Sequence, residues 1–87
     1  MKCTKTLLET KGNKKVGNHW SQKTEMIEKY YYHNTCICKI NHIEKVVTYD
    51  NGGFFTSSTT RAINSYKRSN YINLLMNKGY EVKEVKN

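Results

Sequence analysis

The tetrapeptide Asp50-Asn51-Gly52-Gly53 constrains the fold of this chain more than any other feature. Asn-Gly and Gly-Gly steps take up positive φ at little steric cost, and β-prone residues lie on both sides: Lys45-Val46-Val47-Thr48-Tyr49 before the turn and Phe54-Phe55-Thr56 after it. The spacing predicts a hairpin. Upstream, Met26 to Ile40 is aromatic and β-branched and reads as strand by composition. If that strand is continuous, its period of two places Tyr30, Tyr32, Cys36, Cys38 and Ile40 on the core face, with Tyr31, His33, Thr35, Ile37 and Lys39 opposite. Asn41 to Glu44 then serves as a polar connector, and the pieces form an antiparallel meander.

Immediately after the returning strand, Ser57-Ser58-Thr59-Thr60 marks a helix start, because short hydroxyl side chains accept bonds from the free N–H groups of a first turn. Ile63, Tyr66, Tyr71, Leu74 and Leu75 recur at helical spacing, and Lys78-Gly79 has the composition of a helix end. The alternation from Tyr80 to Val85 suggests a short edge strand or a second amphipathic piece. A helix with a broad apolar side must cover a sheet. The expected fold is therefore α+β, a small antiparallel sheet of about three to four strands with one long helix packed on one face.

Eighty-seven residues suffice for one hydrophobic core and not for two, so residues 1–87 are read as a single domain. Residues 1–23, lysine-rich and interrupted by Gly12 and Gly17, are read as a basic N-terminal arm that holds a short element or orders on a partner. A core this small leaves stability modest, and homodimerisation or partner binding is an available supplement. No apolar run reaches the length of a membrane span, and Met1-Lys2-Cys3-Thr4-Lys5 has no apolar region behind its charges. The expectation is a cytoplasmic protein without membrane partners. Cys3, Cys36 and Cys38, an odd set without framework spacing, fit a reducing compartment.

Charge is the first feature that speaks to function. The formal net charge is +8 and unevenly spread: residues 1–23 carry six lysines against Glu9, giving +5; residues 24–56 carry three lysines against four acids, giving −1; residues 57–87 carry six bases against two acids, giving +4. A basic surface attracts nucleic-acid phosphates or acidic proteins. Thirteen lysines beside two arginines, ten asparagines and no proline also match AT-rich coding, which makes Arg61 and Arg68 the more informative bases.

Catalytic and metal signatures are absent from the sequence. Cys36-x-Cys38 with His33 and His42 invites a zinc reading, but paired zinc cysteines favour two to four intervening residues, and both thiols fit better as small buried side chains. The carboxylates form no spaced pair with a histidine, and no nucleophile elbow, zinc-protease, P-loop or dinucleotide motif occurs. No enzyme activity, cofactor or metal is expected.

The stretch Y-D-N-G-G-F-F-T-S-S-T-T-R-A-I-N, residues 49–64, together with H-W-S-Q-K-T and Y-Y-H-N-T-C-I-C-K-I upstream, resembles a group of small bacteriophage proteins sharing N-G-G-aromatic-x-T-x-T-T-x-x-x-I-N, with Phe54 at the aromatic position. The resemblance spans about residues 18–66. It implies a phage-type accessory protein that binds, and inhibits, a host nucleoprotein or defence complex such as a CRISPR effector. The alternative is a sequence-tolerant RNA- or DNA-binding protein without a defence target. Binding residues are expected in three places: Arg61 and Arg68 with Ser58, Thr59 and Thr60 as an anion site at the helix start; Tyr31 and Trp20 as exposed rings; and Lys14 and Lys15 in the arm.

Overall fold

A computed structural model of the chain describes residues 2–53 and 56–85, with side chains from residue 4 onward. Its elements run α1 (Lys2–Glu9), β1 (Lys14–Val16), β2 (His19–Lys23), β3 (Ile27–Tyr32), β4 (Thr35–Asn41), β5 (Val46–Asp50), α2 (Ser57–Lys67), α3 (Asn70–Asn77) and β6 (Glu81–Val85). The strands form one six-stranded sheet in sequence order, antiparallel from β1 to β5, with β6 parallel to β5. The class is α+β. The sheet has more strands than expected, and one of its pairs is parallel.

Three local features account for the differences. Met26 to Ile40 is a hairpin rather than one strand, since Tyr32 pairs with Thr35 across a turn in which His33 takes φ 56°. Histidine tolerates that region better than most residues, but composition alone does not announce it. Arg68 ends α2, and Ser69 starts α3 with extended backbone (φ −70°, ψ 148°) and a side chain that accepts from the Ile72 N–H. The expected long helix is thus two helices, because a serine in mid-segment acts as an N-cap. Finally, Gly52 and Gly53 take φ 62° and 83°, and their N–H groups donate to the side-chain oxygens of Asp50 and Asn51 at 2.7 and 2.9 Å. The turn is real. However, β4 and β6 occupy both sides of β5, so no returning strand pairs there, and Thr56 is instead the N-cap of α2. Phe54 and Phe55 lie outside the described residues.

The β3–β4 ladder slips between Tyr30 and Tyr31: Tyr30 faces Cys38 and Tyr31 faces Cys36, leaving Ile37 as the extra residue of a β-bulge. Ile37 and Cys38 are consequently both without exposure, while Cys36 is only half-buried beside Tyr31. This corrects the expected faces, where Cys36 was a core residue and Ile37 was not. The helices cover one face of the sheet. Tyr30, Cys38, Ile40, Val47 and Tyr49 on that face pack with Leu7 of α1, Ala62 and Tyr66 of α2, and Ile72 and Leu75 of α3. Tyr30 and Tyr66 meet at 5.1 Å between ring centroids, a contact contributing about 0.5–1.5 kcal/mol beyond their burial.

Residues 1–23, read as an arm, contribute α1, β1 and β2. Lys23 fastens α1 to the sheet: its Nζ donates to the Leu7 carbonyl at 2.7 Å and to the carbonyls of Leu8 and Thr10, the free acceptors at the helix C-terminus. No helix among the described residues is long and apolar enough to cross a membrane.

Candidate anion-binding groove

α1 and α2 lie side by side, joined by a hydrogen bond between the hydroxyls of Thr4 and Ser65 at 2.5 Å. Between them and the start of α3 runs a groove of about 820 Å³. On α2, Ser57, Thr60, Arg61, Asn64 and Arg68 line it at successive helical turns; α1 contributes Lys5, Leu8 and Glu9, and Asn70 and Tyr71 close the end. Arg61 and Arg68 are exposed and separated by two turns, about 10 Å along the axis. Lys5, Arg61 and Arg68 face Glu9 as the only acid in the lining, and none of the three cations joins an ion pair among the described residues.

The hydroxyl cluster divides. Thr56 caps α2 by accepting from the Thr59 N–H, and the Thr59 side chain, 5% exposed, is bonded to the Thr56 hydroxyl at 3.0 Å. Thr59 therefore works inside the cap and offers nothing to a ligand. Ser58 is exposed but does not line the groove, whereas Thr60 does. Ser57, part of the expected hydroxyl cluster, also lines the groove, whereas Lys5 and Asn64 join the lining from outside the expected set. Asn64 and Ser57 sit at helical spacing from Arg61 and Arg68, a signal the sequence carries; Lys5 arrives by a contact that only the fold creates.

Trp20, Tyr31 and Lys15 occupy the other face of the sheet. The register places Lys15 opposite Trp20 and Trp20 opposite Tyr31. The two rings are stacked, with centroids 3.8 Å apart and planes inclined by 2°, and the indole N–H donates to the His33 carbonyl. Lys14 pairs with Ser21, one residue out of phase with Lys15, so its side chain belongs to the helix-covered side at the β1 edge. The expected binding residues thus fall on two opposite surfaces.

One lining residue, Tyr71, also belongs to a polar cluster that the sequence does not announce. Glu28 is 8% exposed and accepts from the Tyr30 hydroxyl, the Tyr71 hydroxyl and His42 Nε2, each at 2.5 Å, with Lys23 at 3.9 Å. His42 Nδ1 bonds the Tyr80 hydroxyl at 2.7 Å. Burial raises the Glu28 pKa, but the three hydrogen bonds and Lys23 outweigh it and hold the carboxyl below its usual range. Burial and the Glu28 contact push the Tyr30 hydroxyl far up, so it stays a donor. Every partner converges on the carboxylate. The cluster ties β2, β3, the β4–β5 turn, α3 and the approach to β6 together, and it reads as a structural tie.

The cysteines part company at the bulge. Burial pushes the Cys36 thiol up against the opposing pull of Lys29 and Lys39, and Cys38, fully buried, is raised further. Neither is an activated thiolate. Among the described residues no three His, Cys, Asp or Glu side chains are grouped to hold a metal ion. Comparison of the chain with protein-family models, curated proteins and solved structures found no match.

Proposed function

We propose that this protein acts by binding a polyanionic partner, and that the groove between α1 and α2 is where phosphates lie. One observation carries the reading: Lys5, Arg61 and Arg68 line a single groove without carboxylate partners among the described residues, alongside hydroxyl and amide donors. Arginine grips phosphate through two parallel N–H bonds, and α2 adds a helix N-terminus with no acidic residue in its first turn. The resemblance to small phage proteins supplies the partner class, a host nucleoprotein such as a CRISPR effector whose activity is blocked. The alternative, a nucleic-acid-binding protein without a defence target, uses the same groove.

The test replaces Arg61 and Arg68 by Glu, singly and together. Both residues are exposed and neither is in the core, so thermal stability should hold. Affinity for nucleic acid or nucleoprotein should fall, and the salt dependence of the wild type, close to −0.9 in log–log slope per phosphate on duplex DNA, should flatten in the variant. Unchanged affinity and slope in the double variant sink the proposal. Capture from host lysate with and without nuclease separates the two partner classes, since a nucleoprotein partner survives digestion at least in part.

A further inference from the structure

The face of the sheet turned away from the helices carries a second pattern. Reading across the register, one row runs Lys15, Trp20, Tyr31, Cys36 from β1 to β4. The next runs Gln22, Lys29, Lys39, Thr48, Lys83 from β2 to β6. Rows on one face lie two residues apart along a strand, about 6.6 Å, and neighbouring strands lie about 4.8 Å apart. A stacked aromatic pair therefore stands directly beside a band of lysines.

The lysine row makes poor sense as a folding device. Lys29 and Lys39 are directly opposite on adjacent strands, and like charges in that position are destabilising. No carboxylate shares their row, and neither joins an ion pair among the described residues. Both act on the Cys36 thiol, which places their charge next to the aromatic row. The bulge at Ile37 matters here as well. It keeps Cys36, a small side chain, as the neighbour of Tyr31, where a regular ladder would present Ile37.

We infer that this open sheet face is a binding surface for single-stranded nucleic acid, with bases stacking on the Trp20–Tyr31 pair and phosphates lying along Lys29 and Lys39. Duplex is a poor occupant, because its bases are already stacked and offer no free ring faces to a flat sheet. The site is distinct from the groove on the helix side and shares no residue with it.

Trp20 is the only tryptophan in the chain, so its emission reports on this surface alone. At low salt, an oligothymidylate of about 12 nucleotides, within the usual span of single-strand sites, should quench it saturably. Lys29→Gln with Lys39→Gln should weaken that binding at least about tenfold while leaving the melting temperature equal or higher, because the like-charge pair is gone. Tyr31→Ala should weaken it by roughly five- to hundredfold, the range expected for one base stack. Lys11→Gln with Lys78→Gln, the same charge change at exposed positions outside both surfaces, should leave the quench unchanged. Four results overturn the inference: no quench at low salt, equal quench by a duplex of the same length, equal quench by polyglutamate, or quench lost in the Lys11 and Lys78 variant and retained in the Lys29 and Lys39 variant.

Discussion

Removing the Glu28 carboxylate should be among the most damaging single changes available in this fold. Glu28→Ala strips the acceptor from the hydroxyls of Tyr30 and Tyr71 and from His42 Nε2, and leaves Lys23 without its nearest counter-charge. Hydrogen bonds to a charged group contribute about 1.5–3 kcal/mol each, but Tyr71 and His42 are only half-buried and can turn to water. Tyr30, without exposure, cannot. The expected loss is therefore about 3–5 kcal/mol, the usual penalty for breaking a buried charged pair, out of a total stability of about 5–15 kcal/mol. Glu28→Gln keeps shape and one acceptor and should lose about 1–3 kcal/mol. Urea unfolding, followed by Trp20 fluorescence and by circular dichroism, measures both. The pH arm carries the sign: folding lowers the carboxyl pKa, so below its ordinary value near 4.5 the unfolded chain binds more protons, and the wild type loses stability as pH falls. Glu28→Gln should show a shallower decline over that window. A change under about 1 kcal/mol in Glu28→Ala, or an undiminished acid slope in Glu28→Gln, refutes the reasoning.

Ser69→Ala should cost about 0.5–2 kcal/mol by uncapping α3, measured by urea denaturation, and a neutral result would show that the break after α2 does not depend on the cap. His19, 7% exposed, has its pKa lowered by burial and by nearby His33, so the unfolded chain binds its proton first and stability should decline as pH drops below 6.5. Replacing it with Gln should remove that part of the decline in melting temperature between about pH 6.5 and 5, and an identical pH profile would exclude the assignment.

Local chemistry made much of this fold legible and long-range chemistry hid the rest. The turn at Asp50–Gly53, the start of α2 in a hydroxyl cluster and the end of α3 at Lys78-Gly79 follow from side-chain chemistry within a few residues. His33 and Ser69 carry their signals too, but a lone left-handed histidine and a lone serine compete with strongly periodic surroundings, and the periodicity outweighs them. The bulge at Ile37 has no sequence marker, and it alone reverses the faces of Cys36 and Ile37. Arg61 and Arg68 were legible as a pair on one helical stripe, whereas Lys5 was not, because α1 reaches the groove only through packing. Glu28 gathers Lys23, Tyr30, His42 and Tyr71, residues so scattered along the chain that no motif could announce them.

The one parallel pair in the sheet sets an order of assembly. Each antiparallel pair from β1 to β5 joins strands adjacent in the chain, so those ladders can zip outward from their turns with little loop entropy to overcome. Pairing β5 with β6 instead brings Val46 to Glu81 across the whole of α2 and α3. That closure spans more chain than any other strand pairing in the sheet, and its reward arrives only once Tyr66, Ile72 and Leu75 have already found the sheet. The final strand should thus be the last of the six to join the sheet on folding and the first to leave it on unfolding. In hydrogen exchange, the amides of β6 should trade their protons through a partial opening that leaves β2, β3 and β4 protected.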